Sequence, residues 1–552
     1  MEKTDVVIVG AGPVGLFTAY LLAHQKIKCV VLERRNGVAK HPKAHTINAR
    51  TLEIFRQADL DVAYIRQNAA TAKDAGSVRL FYGLADAEIG CFPYERQDDE
   101  VRSLAAEPLV NWPQTELEHL LEKAVAETEL AQIRRGWQFD AVDITETKEA
   151  GCVVSCSPTG RGDDANRYSI QADFVIGADG VNSTVRDKTA GIEFKSMGPG
   201  HAYQSIVCKA SLRSALPPGR EAMLYFCFHP EHPSEFIANN LDTSFVHVTP
   251  LMDPASSGGQ RKTPPVEACL PGLQYSEVLR TIWETTPRVA SSYSDAKHRV
   301  FLVGDAAHSL PPQGGLGLNT GIADAHNLVW KLAAIIQGKG TPNLLASFTR
   351  ERKPVALASL EYSKASEAAF YSVSTTLGGL AVRYQEARAQ APDLAIDAFL
   401  QQPAISAAAA GAVTEASKNF DSLALQLGFI YDDPSCTRGL LDNPTIYIPR
   451  ACPGARLPHG TIGDGLSLLD LVPYDRFTLL HYANPVFASC DWAINVASLG
   501  LPEAWYDVVP EIKGGKGIIV RPDHHVLLHV DSQGQADDAV TDYLDQGKVC
   551  AR

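Results

Sequence analysis

The chain opens on a short, continuously apolar run, Val6 to Val9, that stops at Gly10, Gly12 and Gly15. A run that is apolar on both sides of the pleat predicts a buried parallel strand, here entering a glycine turn. Beyond the turn Val14, Phe17, Leu21 and Leu22 recur at helical spacing, and the apolar residues 29–32 end on Glu33. Strand, helix and strand make a βαβ unit. The segments ADFVIGADG (172–180) and RVFLVGD (299–305) repeat the apolar strand that ends in a turn. Between about 190 and 290, runs such as MLYFCF and FVHVTPL are separated by Pro, Gly and Ser. That pattern predicts a mostly antiparallel sheet. NWPQTELEHLLEKAV (111–125) predicts a helix with Leu117, Leu120, Leu121 and Val125 on one face, and Thr115 with Glu118 has the spacing of a capping box. A long helix follows from Asn319 to Ile336, then alanine-rich helical sequence to about 415 and a Pro- and Asp-rich connection over 416–455. FTLLHYA and GIIVRPDHHVLLHV bring strand signals back in the last hundred residues.

The length, 552 residues, suits three or four domains and a large core without covalent staples. Fifty basic against sixty-four acidic residues leave a formal charge of -14, which repels nucleic acid and anionic lipid surfaces and makes both poor partners. The eleven cysteines are scattered without a CxxC pair, as expected of reduced thiols in a cytoplasmic chain. Charged residues precede the first strand and no eighteen-residue apolar run follows, so neither a signal peptide nor a membrane span is expected. No metal-ligand cluster, Ser-His-Asp order or P-loop is evident.

Gly10, Gly12 and Gly15 lie between a strand and a helix, and Glu33 follows about twenty residues on, which is the dinucleotide fingerprint. The glycines let a pyrophosphate approach the backbone at the helix N-terminus, and Glu33 is placed for ribose hydroxyls. GDAAHSLPPQGGLGLN (304–319) narrows the dinucleotide to a flavin. Its strand-end carboxylate, Asp305, suits a ribityl chain, which a nicotinamide lacks. Its glycine-rich turn feeds a helix N-terminus whose amides stabilise charge on a reduced flavin ring.

These motifs, with Gln114 in NWPQTELEHLL and the loop GADGVNSTVR (177–186), resemble the class A flavoprotein aromatic hydroxylases, in the phenol hydroxylase and aromatic-polyketide hydroxylase branch. The resemblance implies an α/β fold: a Rossmann-like FAD-binding domain (1–188 and 285–365), an inserted, mostly antiparallel substrate sheet (189–284), a helical connection (366–440) and a thioredoxin-like C-terminal domain (441–552) without its CxxC. It implies FAD and NADPH as cofactors, oxygen transfer through a flavin C4a-hydroperoxide to a phenolic or polyketide-derived ring, and a structural or dimer-forming tail. Baeyer–Villiger oxidation, epoxidation and flavin reduction without oxygen transfer stay open. By the same resemblance Asp179 and Gly180 serve FAD and NADPH, and Asp305, Pro312, Gly315, Gly317, Leu318 and Asn319 form the flavin seat. Arg50 belongs to an Arg-Thr pair near the flavin, while Arg34 and Lys43 meet phosphates of either dinucleotide. His45 stands where phenol hydroxylases carry an aspartate, so it is either the base that takes a phenolic proton or a structural hydrogen-bonding group. Tyr203, Tyr225 and His229 lie in the sheet region that would roof the pocket, where relatives use a tyrosine to polarise the substrate hydroxyl; the sequence does not say which side faces in, and Tyr225 is the candidate taken for that role. Arg186 is expected to brace its loop, and His308 to belong to the scaffold.

Overall fold

The computed structural model describes the chain except residues 39–42, 85, 145–150, 161–166, 190, 252–264, 464 and 549–552. His41 and Pro42 of the HPKAHTINART segment, and Cys550, therefore lie outside the described residues.

The continuous apolar runs pair as expected. Glu2–Val9 lies parallel between Cys29–Glu33 and Tyr168–Gly177. Ala131–Arg135 and Val300–Leu302 extend the parallel part, and Cys152–Pro158 and Trp137–Ile144 add two antiparallel strands. All three apolar strands end at the same edge because parallel strands share one direction, so the turns after Val9, Gly177 and Leu302 converge. The helix Pro13–His24 packs on this sheet and against Leu316–Ile336, with Leu16, Phe17, Ile322 and Val329 fully buried.

The second sheet runs Ser276–Thr285, His201–Lys209, Ser244–Pro250, Ser234–Asn240, Leu224–Cys227, Ser77–Phe81, Glu88–Pro93. Its pairs are antiparallel except Leu224–Cys227 with Ser77–Phe81. The last two strands come from well ahead of residue 189. Side chains alternate between two separate cores. Tyr225, Phe236 and Phe245 go to one, whereas Leu80, Leu224 and Val78 face the helices Ala346–Gln390 and Pro403–Ser417.

The C-terminal sheet has the order Ala493–Asn495, Thr478–His481, Gly517–Val520, Val526–Val530, with the first pair parallel and the others antiparallel. It docks through buried charge. Arg521 spans Glu351 at 2.8 and 2.9 Å, Lys331 and Tyr543 reach the same carboxylate at 2.7 Å, and Asn327 donates to Asp523 at 3.0 Å. No helix among the described residues is long and apolar enough to cross a membrane.

The helix Gln114–Ala126 places Leu117, Leu121 and Val125 in the core as its periodicity predicts. Its capping differs. Pro113 takes the N-cap, so Thr115 already lies within the first turn, and Glu118 accepts from the Gln114 amide at 2.7 Å.

Candidate active site

The converging turns build the first half of the site. Gly10 has φ +103°, and a Cβ there would lie 2.4 Å from the Ala178 carbonyl, so the first turn and the GADG loop touch backbone to backbone. A Cβ on Gly15 would fall 2.0 Å from the Gly10 carbonyl, whereas one on Gly12 would meet nothing within 4 Å. Two glycines close the turn and the third keeps a space open. That space lies over the N-terminus of Pro13–His24, which no side chain caps. Glu33 is buried beside it and accepts from the Ala11 and Arg35 amides, each at 2.8 Å. Burial pushes its carboxyl up, but these amides and the Arg35 guanidinium outweigh that and hold it below the usual carboxylate value. Arg34 and Lys43 are exposed.

Asp179 takes the amides of Thr184 and Val185 on one oxygen, at 2.7 and 3.2 Å, while its other oxygen is buried without a partner. Burial raises this carboxyl despite its hydrogen bonds. Gly180 beside it has φ +82° and open space at its Cβ position. Arg186 does brace its loop, donating to the carbonyls of Ala306 and Val181 at 3.1 Å each and stacking 3.9 Å over Phe194.

Asp305 stands exposed at the end of the third strand, in a short turn of 3-10 helix. His308 points away from it into the core, 2.8 Å from Asp324, which Arg352 holds from the other side at 2.8 Å. Pro312 is exposed and Leu318 half-buried, and Gly315, at φ +61°, caps Leu316–Ile336 with no side-chain acceptor. The left-handed cap starts this helix one turn ahead of Asn319 and leaves its first amides free. Gly317 has nothing within 4 Å of its Cβ position, so the first turn is open to a flat ligand. Asn319 fastens the seat to the 46–51 segment: its carbonyl oxygen accepts from the Asn48 amide and the Thr51 hydroxyl, and its amide donates to the Thr46 and Gly315 carbonyls.

Thr46 links this seat to a polar wall. A Cβ on Gly315 would lie 3.1 Å from Thr46, and the Thr46 hydroxyl meets Tyr94 at 2.6 Å. Half-buried His45 is next, its Nδ1 3.0 Å from the Asn111 side-chain oxygen and its ring 6.0 Å from Tyr94. Desolvation lowers the His45 pKa to about 4, although Asn111 favours the charged ring. A neutral ring that donates Nδ1–H to Asn111 presents Nε2 as an acceptor. Gln114 donates its backbone amide to Ala44 at 2.8 Å, tying its helix to the same segment. Opposite the wall, the second sheet presents Tyr203, which stacks on Trp283 at 4.7 Å and turns its hydroxyl toward Gln313 and Glu367.

The residues 3–363 match the family model described as FAD binding domain. FAD-dependent monooxygenase apdD of Emericella nidulans is 30% identical, over 98% of this chain and 89% of that protein. The solved structure of the flavin-dependent monooxygenase PieE with FAD and substrate covers 98% of this chain and 99% of its own, at 26% identity and a TM-score of 0.80. The chain is a class A flavoprotein hydroxylase. The Streptomyces purpurascens aklavinone 12-hydroxylase RdmE is a further relative, 30% identical over 64% of this chain and 66% of its own.

FAD fits the hydroxylase's converging turns. Gly12 and Gly317 leave open faces above two uncapped helix N-termini, and Asp179, with one oxygen unpartnered, belongs to the loop that touches the first glycine turn. Two sequence candidates are not brought there. Tyr225 lies on the far face of the second sheet, fully buried, where its hydroxyl accepts from the Ala222 amide at 2.7 Å and donates to the Arg220 carbonyl at 3.1 Å. The strand register decides this, since neighbouring residues point to opposite faces. Arg50 also turns away. It donates to His524 at 3.0 Å and to the Asp523 carbonyl at 2.9 Å, pairs with Glu53 at 3.3 Å, and so ties its helix to the C-terminal domain. Of the other residues that face the seat, Tyr94 lies outside every motif, and Asn111 and Gln313 sit within NWPQTELEHLL and GDAAHSLPPQGGLGLN without a role that the motif assigns to them. Only the neighbours that the fold supplies mark them.

Proposed function

We propose that this hydroxylase uses NADPH and O2 to hydroxylate a phenolic or polyketide-derived aromatic compound held between the glycine seat and the second sheet. The observation that carries the reading is the contact from the uncapped helix N-terminus at Gly315 through Thr46 to Tyr94, with His45 alongside. It sets a flavin seat against a wall able to hold a substrate hydroxyl. Bound FAD supplies the chemistry, accepting electrons from NADPH and delivering one oxygen atom of O2 to the ring. The chain's own groups do the rest. Free amides at the helix start favour negative charge on the flavin edge, and the aromatic wall keeps water out. His45, neutral because burial lowers its pKa to about 4, accepts the hydrogen bond of a phenolic hydroxyl at Nε2 and draws electron density into the ring. Glu33, Arg34, Lys43, Asp179, Gly180 and Asp305 would hold the dinucleotides. Supporting the substrate class, relatives include 2,4-dichlorophenol 6-monooxygenase of Delftia acidovorans, 26% identical over 95% of this chain.

The test is NADPH oxidation by purified holoprotein with a panel of phenols and polyketide-like aromatics. Stimulation by a member of the panel, with a product one oxygen heavier, is expected. His45→Ala should lower kcat about a hundredfold, the usual order for a positioned acid–base group. Tyr225→Phe should leave kcat unchanged and cost about 1 kcal/mol of stability through the lost hydrogen bonds. A hundredfold loss with Tyr225→Phe would place the substrate on the wrong side of the sheet.

A further inference from the structure

Glu235 is a carboxyl on a sheet face whose neighbouring positions are largely apolar and aromatic, with Ser205 two strands away already taken by the Trp283 indole at 2.7 Å. Its strand neighbours are Phe226 on one side and Val248 on the other. Phe236, next along the strand, goes to the far core, so Glu235 points to the side that faces the seat. Tyr203 stands on the same face, two residues along its strand from Ser205, which lies across Val248 from Glu235, and its hydroxyl turns toward Gln313. Aromatic rings complete the walls: Phe226 packs on Phe370 at 4.5 Å and on Phe420 at 6.3 Å, and Phe420 lies 6.0 Å from Tyr94. No donor among the described residues pairs with the carboxyl, and burial alone pushes it up to about 7. A half-buried acceptor without a partner costs stability, and an apolar side chain would serve the sheet better.

We propose that Glu235 reads the substrate: it accepts a hydrogen bond from an O–H or N–H on the edge of a flat aromatic compound and selects such rings over equally sized rings without a donor. This rests on the substrate space argued under Proposed function. The far edge of the ring is anchored at the sheet, while the edge near His45 lies over the flavin seat. One anchor at each end fixes which ring carbon faces the seat, so Glu235 is a specificity-determining residue for that reaction.

The test uses holoprotein with two matched probes, 2,6-dihydroxynaphthalene and 6-methoxy-2-naphthol, which both keep one hydroxyl for His45 and differ only at the far edge, and reads dissociation constants from the perturbation of the flavin absorption spectrum. Wild type is expected to bind the dihydroxy compound at least about tenfold more tightly, as one hydrogen bond to a carboxylate commonly gives. Glu235→Leu should abolish that preference and leave 6-methoxy-2-naphthol bound as before. Glu235→Gln, which keeps an acceptor and the shape, should retain part of the preference and serves if the leucine variant loses FAD. Equal binding of the two probes by wild type, or an undiminished preference in Glu235→Leu, overturns the assignment. Binding of neither probe up to its solubility overturns the substrate space itself and so the proposal with it.

Discussion

Glu95 shows what burial does at the scale of one residue. Its backbone sits at φ +51°, and its carboxyl is held by the Ser422 amide at 3.1 Å and the Gln426 side chain at 3.3 Å. Burial outweighs these donors and pushes the carboxyl up to about 7 from 4.5. The folded protein therefore holds a proton on Glu95 that the unfolded chain releases, so the contribution of this group to stability is fullest below about pH 4.5 and is lost as pH rises through 7. At about 1.4 kcal/mol per tenfold change in proton affinity, the loss is about 3 kcal/mol. Glu95→Gln should flatten the fall in melting temperature between pH 5 and 8, measured against wild type by scanning calorimetry. Parallel profiles would show that Glu95 is ionised in the fold. Which residues are legible in the sequence follows from the range of the forces on them. Gly10, Gly15 and Glu33 could be read because their constraints arise within one βαβ unit. Tyr225 and Arg50 could not. The face of one and the partner of the other depend on strands and on a domain up to 474 positions away.

Among the elements, strand–turn–helix units were legible and strand partners were not. The three apolar strands and their turns appear where the hydrophobic pattern predicts them. The two strands at 77–93 join a sheet whose other members begin at residue 201, a pairing that no local pattern carries. The glycine turn offers a test of the element as a unit. Gly12→Ala places its methyl group in open space, so the protein should fold with an unchanged melting temperature without ligand and lose FAD affinity. In Gly15→Ala the methyl would fall 2.0 Å from the Gly10 carbonyl, so both folding and FAD binding should fail. Melting curves with and without FAD, with bound flavin read at 450 nm, separate the two outcomes. Full FAD affinity in Gly12→Ala would mean that the pyrophosphate lies elsewhere.

Across the whole molecule, the C-terminal domain is welded to the FAD-binding part by charges rather than by an apolar seam alone. Glu351 lies among Arg521, Lys331 and Tyr543, and Arg456 and Glu53 form a second pair with no exposed surface. Removing one partner strands the others in a dry interior, which typically costs about 3–5 kcal/mol. Arg521→Met should therefore lower the stability of the whole chain in one cooperative transition, seen by calorimetry and by flavin release at the same temperature. Two separate transitions, with flavin kept through the first, would show that the tail unfolds on its own. Three strands of the domain's sheet were legible from their hydrophobic pattern, and the short edge strand Ala493–Asn495 was not. Its reach to Arg50 through His524 was not, because the contact exists only once both parts are folded.

In the proposed reaction, one face of the second sheet and the glycine seat enclose an aromatic ring where oxygen is transferred. Turnover of the best compound from the phenol and polyketide panel under 18O2, with NADPH, tests it most directly. A hydroxylated ring carrying one 18O atom per NADPH consumed is expected, formed about a hundredfold more slowly in His45→Ala and at the wild-type rate in Tyr225→Phe. NADPH consumption that yields peroxide and no labelled product with any member of the panel would contradict it.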